Sequence, residues 1–100
     1  MVKVYKIKAR VWRWPGDAGW HFVNLDRKKS EEIKRLKSKN SYGAGFLRIE
    51  ASVGKTKWRT ALFPYTKEGI YLVSIRKDVR KKEDVREGDM IDVSFSFIKK

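Results

Sequence analysis

Alternation with a period of two runs through most of this chain and limits its fold more than any other feature. In "MIDVSFSFI" (90–98), Ile91, Val93, Phe95 and Phe97 fall on one side, and Asp92, Ser94 and Ser96 fall on the other. In residues 2–13, Tyr5, Ile7, Ala9 and Val11 alternate with Val4, Lys6, Lys8, Arg10 and Trp12. Successive side chains of a strand point to opposite faces, so both segments read as strands with one buried side. Leu47, Ile49, Ala51 and Val53 repeat the pattern. Gly54-Lys55 is a two-residue Gly-X connection, which predicts a type II′ hairpin into a strand over 57–64. "WHFVNL" (20–25) and "IYLVSI" (70–75) make two more short strands, set off by the turns "WPGDAG" and "YTKEG".

One helix is predicted, over about residues 30–38. Ser30 is its expected N-cap, Glu31 and Glu32 its first-turn acids, and Ile33 with Leu36 its narrow apolar face. "SKNSYGAG" reads as a loop, and "RKDVRKKEDVREGD" (76–89) as a charged connector with a helical turn around Val79. Six strands and one helix in 100 residues predict a mostly β fold, with residues 1–100 as one domain. Short alternating strands in so small a chain point to a closed or nearly closed barrel of six to seven strands, because closure removes exposed sheet edges.

Charge narrows the function classes. Lys and Arg number 25 against 12 Asp and Glu, giving a net charge of +13. Such an excess attracts polyanions through its long-range field and through counterion release. The chain has no Gln, two Asn and two Met, a composition that fits a heat-adapted source. Heat adaptation usually adds Glu along with Lys, so the twofold basic excess needs a further reason. Cysteine is absent, which excludes disulfides and thiolate metal sites. The N-terminal stretch has no continuous apolar core, and no apolar run reaches the roughly 18 residues of a membrane span. A cytoplasmic protein with no membrane partner, no cofactor and no metal is expected.

Three motifs invite stronger readings. "GKT" at 54–56 matches the end of a phosphate-binding P-loop, but Ile49 stands where that loop needs its first Gly. A P-loop also needs a strand feeding a helix, whereas Gly54 here joins two strands. "YGAGFLRI" (42–49) resembles the core RNA-recognition signature, with Phe46 at one base-stacking position and Ala44 at the other. That fold places a helix between its first two strands, and this chain does not. Catalysis has one candidate histidine, His21, and no cysteine, so no nucleophile and base are visibly clustered. An enzyme would require His21 or a carboxylate in a cleft with a perturbed pKa.

The wet face of the first strand offers a binding function. Lys6, Lys8, Arg10 and Trp12 project together, and Trp14 follows. A basic track ending in aromatic rings suits single-stranded nucleic acid, which needs phosphate neutralisation and stacking platforms. Lys57 and Arg59 extend the track if their strand lies alongside. The alternative is a ligand-pocket or protein-interaction barrel, with Trp20, Phe22, Trp58 and Tyr71 lining an apolar cleft.

Taken in order, "WHFVNL", the helix, "GAGFLRIEASVGKTKWRTALFP", "GIYLVSIRKDVRK" and "REGDMIDVSF" resemble a prokaryotic small-barrel family of unknown function. Its members occur alone or fused to a domain named for bacteriocin protection. The resemblance implies a barrel of about six or seven strands with one helix packed against it, and no activity. Asp26 stands where the family tends to have Pro, and Ala61 where it tends to have Ser after Trp-x-Thr. The last third is also similar to the DNA-binding hairpins of bacterial transition-state regulators, a pattern that carries no function by itself.

Overall fold

The computed structural model describes residues 3–40 and 47–98, and the side chains of 36–40 lie outside what it describes. In chain order the elements are β1 (Tyr5–Arg10), β2 (Trp12–Arg13), β3 (His21–Asn24), α1 (Arg27–Asn40), β4 (Leu47–Val53), β5 (Thr56–Tyr65), β6 (Ile70–Ser74), α2 (Lys77–Glu83) and β7 (Met90–Phe97). The seven strands form one sheet in the order β1-β7-β4-β5-β6-β3-β2, with every pair antiparallel. The fold is mostly β, as expected, and the sheet is a nearly closed barrel.

Closure depends on a break in the first predicted strand. β1 pairs with β7 at one end of the sheet, while β2, one residue further on, pairs with β3 at the other end. The chain therefore crosses the seam at Val11, which is buried. Its amide donates to the Asp89 carbonyl and its own carbonyl accepts from the Gly88 amide, both at 2.8 Å. The bend thus leaves neither buried backbone group unpaired, which is what a buried kink requires.

The alternation sorts the side chains as predicted. Tyr5 and Ile7 on β1, Ile49 and Ala51 on β4, and Val93 and Phe95 on β7 all enter the interior. Tyr5 stacks on Phe95 with ring centroids 5.1 Å apart. Each fully buried aliphatic or aromatic side chain contributes about 2–3 kcal/mol of transfer free energy, so this interior supplies the main driving force.

Gly54 takes φ +56° and Lys55 takes no positive φ, the pattern of a II′ turn, with Val53 opposite Thr56. The P-loop reading is thereby excluded, since strands flank the glycine on both sides. A Cβ on Gly54 would collide with the Glu83 carboxylate, whose Oε2 accepts from Thr56 Oγ1 at 2.6 Å. This contact ties the hairpin to α2.

Two expectations about helices change. α1 begins at Arg27, three residues before Ser30, and no acid lies in its first turn. The Ser30 amide already makes a helical bond to the Asp26 carbonyl at 3.0 Å, so capping falls to the residues before it. The Ser30 hydroxyl, fully buried, instead accepts from the Tyr71 amide at 3.2 Å. It satisfies a β6 amide beyond the end of β3. Ile33 is buried as predicted, while the side chain of Leu36 lies outside the described residues. The charged connector forms a second helix, α2, because Val79 buries its side chain and Asp84 closes the last turn at φ 53°.

Candidate functional site

β1 and β2 deliver the predicted basic and aromatic residues to two adjoining surfaces. Lys6 and Lys8 are exposed on β1, opposite Ser94 and Asp92 of β7. On their other side they border α1. Two adjoining grooves of about 280 and 290 Å3 run there and share Lys6 and Lys29. Together they carry five lysines (Lys3, Lys6, Lys8, Lys28 and Lys29) against two carboxylates, Asp26 and Glu32. Lys3 pairs with Glu32 at 2.7 Å and Lys29 with Asp26 at 3.5 Å. Hydrogen bonds from Lys3, and then Tyr5, hold the Glu32 carboxyl below its ordinary value. Lys6, Lys8 and Lys28 form no ion pair among the described residues. Arg10 turns away from this seam, with Nη1 donating to the Gly88 carbonyl at 2.7 Å.

Trp12 and Trp14 join an aromatic cluster on the outside of β2, β3, β6 and β5. Trp12 lies opposite Phe22 across the β2–β3 pair, with ring centroids 5.6 Å apart. Trp14 packs 5.6 Å from Trp12 and 5.8 Å from Tyr65. Trp20 stacks on Phe22 at 6.2 Å, and Phe63 meets both edge-on. Phe22 is buried yet stands outside the interior cluster, so it is the other rings that cover it. Trp14 remains 42% exposed and Trp20 52%. A contiguous exposed aromatic patch marks a contact surface more often than a stability device.

Asn24 connects the two surfaces. Its Oδ1 accepts from Trp12 Nε1 at 2.7 Å, and the same residue lines the groove with Lys6 and Lys8.

Lys57 and Arg59 do not extend this track. Their strand, β5, is separated from β1 by β7 and β4, so about 14 Å of sheet intervenes. Lys57 ends a cross-strand row, Lys6–Ser94–Ser52–Lys57, in which two serines separate the lysines. Arg59 lies opposite Glu50 at 4.0 Å. The residues that do extend the track, Lys28 and Lys29, lie in the first turn of α1, ahead of the helix start expected at Ser30. Nothing local says which strand that helix meets.

The four residues of the apolar-cleft alternative are split by the sheet wall. Trp58 and Tyr71 enter the interior, where burial raises the Tyr71 phenol pKa and Trp58 Nε1 has no hydrogen-bond partner among the described residues. Phe22 faces outward because it alternates with the interior Val23, and Trp20 packs on its outer side. No cleft is shared by all four.

His21 lines a cleft with Arg80, but both ring nitrogens are engaged. Nδ1 donates to the Gly19 carbonyl at 2.6 Å, and Nε2 accepts from Arg80 Nη1 at 3.2 Å. A ring so held offers no free lone pair to a substrate proton. No group of three or more metal-ligating side chains occurs among the described residues, and no described helix is long and apolar enough to cross a membrane. The RNA-recognition signature at 42–49 falls largely outside the described residues.

A family model described as a domain of unknown function, DUF1905, matches residues 8–95. The chain belongs to that family. The match runs from within β1 to within β7, so it takes in the aromatic cluster and Lys8, Lys28 and Lys29 of the seam of this DUF1905 barrel, while Lys3 and Lys6 precede it. No curated protein matches the chain. Asp26 sits just before α1 and pairs with Lys29, while Ala61 lies half-buried on β5 opposite Arg48.

Proposed function

We propose that this chain is a non-catalytic binding module for single-stranded nucleic acid. Phosphates lie along the seam of Lys6, Lys8, Lys28 and Lys29, and bases stack on Trp12 and Trp14. The observation that carries this is Asn24, which stands in the basic groove and also holds the Trp12 indole. Cations that track a backbone beside sequence-tolerant stacking rings are the two components of single-strand binding. Arg10 belongs to the rim, and Lys57 with Arg59 to a separate part of the surface. The net charge of +13 supports a polyanion partner in general. The setting that goes with this reading is the cytoplasm of a heat-adapted prokaryote: the absence of cysteine is compatible with a reducing compartment, the scarcity of Gln, Asn and Met with heat adaptation, and the resemblance with a prokaryotic source.

The test is titration with single-stranded DNA, RNA, duplex DNA and heparin, following tryptophan fluorescence from about 50 to 200 mM salt. Single strands should quench the tryptophans more than heparin does at equal charge. With three unpaired lysines on phosphates, the slope of log K against log salt should be about −2. Equal responses to every polyanion, without quenching, would overturn the proposal.

A further inference from the structure

Trp20 also lines a further cleft, of about 650 Å3, bounded by residues 18–21, the end of β6 and one side of α2. Its lining carries four cations (Arg76, Lys77, Arg80 and Lys81) and one carboxylate, Asp78. Arg76 takes that carboxylate, with Nε 3.2 Å from Asp78 Oδ1. Lys77, Arg80 and Lys81 form no ion pair among the described residues.

Arg80 is held in an unusual way. Nε donates to the Ile75 carbonyl and Nη1 to His21 Nε2, both at 3.2 Å. His21 accepts there because its Nδ1 keeps the proton and donates it to Gly19. The part-buried guanidinium thus has two neutral acceptors and no counterion, and burial lowers its pKa. Three of its five N–H bonds remain for a ligand. A desolvated charge without a partner is costly, and an anion in the cleft removes that cost. Trp20 supplies a flat apolar wall at the same opening, stacked on Phe22 and still 52% exposed.

We propose that this cleft binds a nucleotide through a terminal phosphate, with the base on Trp20 and the phosphate on Arg80, Lys77 and Lys81. A phosphate monoester carries close to two negative charges at neutral pH and matches three uncompensated cations better than an internal diester with one. Two sources supply that chemistry, a free nucleoside monophosphate and the phosphorylated end of a strand. The second rests on the single-strand binding proposed above, and the first does not.

The experiment uses the full chain, with AMP, adenosine and a short oligothymidylate carrying a 5′-phosphate, a 3′-phosphate or neither. AMP should quench fluorescence saturably where adenosine does not, and Trp20→Phe should remove that signal. A terminal phosphate at one end should raise oligonucleotide affinity about tenfold, the value of one or two charge-assisted hydrogen bonds. Arg80→Gln should abolish the gain. The exposed pair Lys77→Ala/Lys81→Ala should reduce it severalfold, and this pair carries the test if Arg80→Gln melts early. AMP binding without oligonucleotide binding would sustain the cleft and sink the single-strand proposal. Oligonucleotides bound equally with or without a terminal phosphate, and no AMP binding, would overturn the cleft alone. A phosphate gain that survives in the lysine pair and in Arg80→Gln would also overturn it.

Discussion

The outer surface of the sheet differs sharply between its two halves. Over β7 and β4 it carries Asp92, Ser94, Ser96, Glu50 and Ser52, all small or charged. Over β2, β3, β6 and the end of β5 it carries Trp12, Phe22, Phe63 and Tyr65, with Trp14 and Trp20 laid against them. The interior behind both halves has the same character, with Val93 and Ile49 behind one, and Val23, Val73 and Leu62 behind the other. An apolar interior alone satisfies the folding requirement of an alternating strand. The serine half shows that small and charged side chains suffice to finish such an outer face. The six rings of the other half therefore point to contact with something outside the barrel.

The strongest way to break this comparison is to remove its anchor. Phe22→Ala takes away the ring that Trp12, Trp14, Trp20 and Phe63 all touch, and should cost about 3 kcal/mol in urea unfolding. Ser94→Ala on the opposite half should cost less than about 0.5 kcal/mol. Similar losses at the two sites would mean the halves do not differ in kind.

Trp14→Ala separates contact from stability. The ring is 42% exposed and lies outside the interior cluster, so unfolding should shift by about 1 kcal/mol, well below the loss at Phe22, while affinity for single-stranded DNA should fall about tenfold. A variant that loses stability but not affinity would assign the cluster to folding. A smaller effect is expected for charge. Lys6→Gln/Lys8→Gln should reduce the magnitude of the salt slope by about 1.4, as two phosphate contacts on a single strand require. Lys57→Gln/Arg59→Gln should leave the slope unchanged, because those residues stand on the serine side of the sheet.

The smallest expected effect concerns Glu32, which fixes Lys3 at the end of the seam. Its folded pKa lies below the ordinary 4.5, so as pH falls the unfolded chain takes up the proton first. The stabilisation is complete above the ordinary value and is lost as pH falls through the lowered one. Melting curves of the native chain and Glu32→Gln should differ slightly at neutral pH and converge in acid. A difference that persists at about pH 3 would assign the effect to something other than this charge.

Most strands were legible because alternation is a local property. The Gly54 hairpin and the buried sides of β1, β4 and β7 followed from spacing alone. Val79 was legible as a helical residue, although its segment proved to be a full second helix. The misplacement of Ser30 had a different cause. Ser, Thr, Asp and Asn all favour the N-cap, and only the position of Tyr71 shows that this hydroxyl serves a strand amide instead. Within the candidate site, Lys6, Lys8, Trp12 and Trp14 were readable from one strand face and its extension. Asn24, Lys28 and Lys29 were not, since they meet β1 and β2 only through the barrel's closure. The cleft alternative failed for the complementary reason. Trp20 and Phe22 lie outside the wall that encloses Trp58 and Tyr71, and composition cannot tell one side of a sheet from the other.

By itself the sequence determined the class of fold, the positions of most strands, the sign of the charge, and the identity of the residues that leave the core. Each of these depends on neighbours a few positions apart or on simple composition. Tertiary structure decided which strands adjoin and where the first strand breaks to close the ring. It also decided which lysines face an open groove. Those outcomes depend on contacts between residues distant in sequence, such as Val11 with Gly88 and Asp89, or Trp12 with Asn24. Such contacts exist only once the strands have registered and the interior has excluded water.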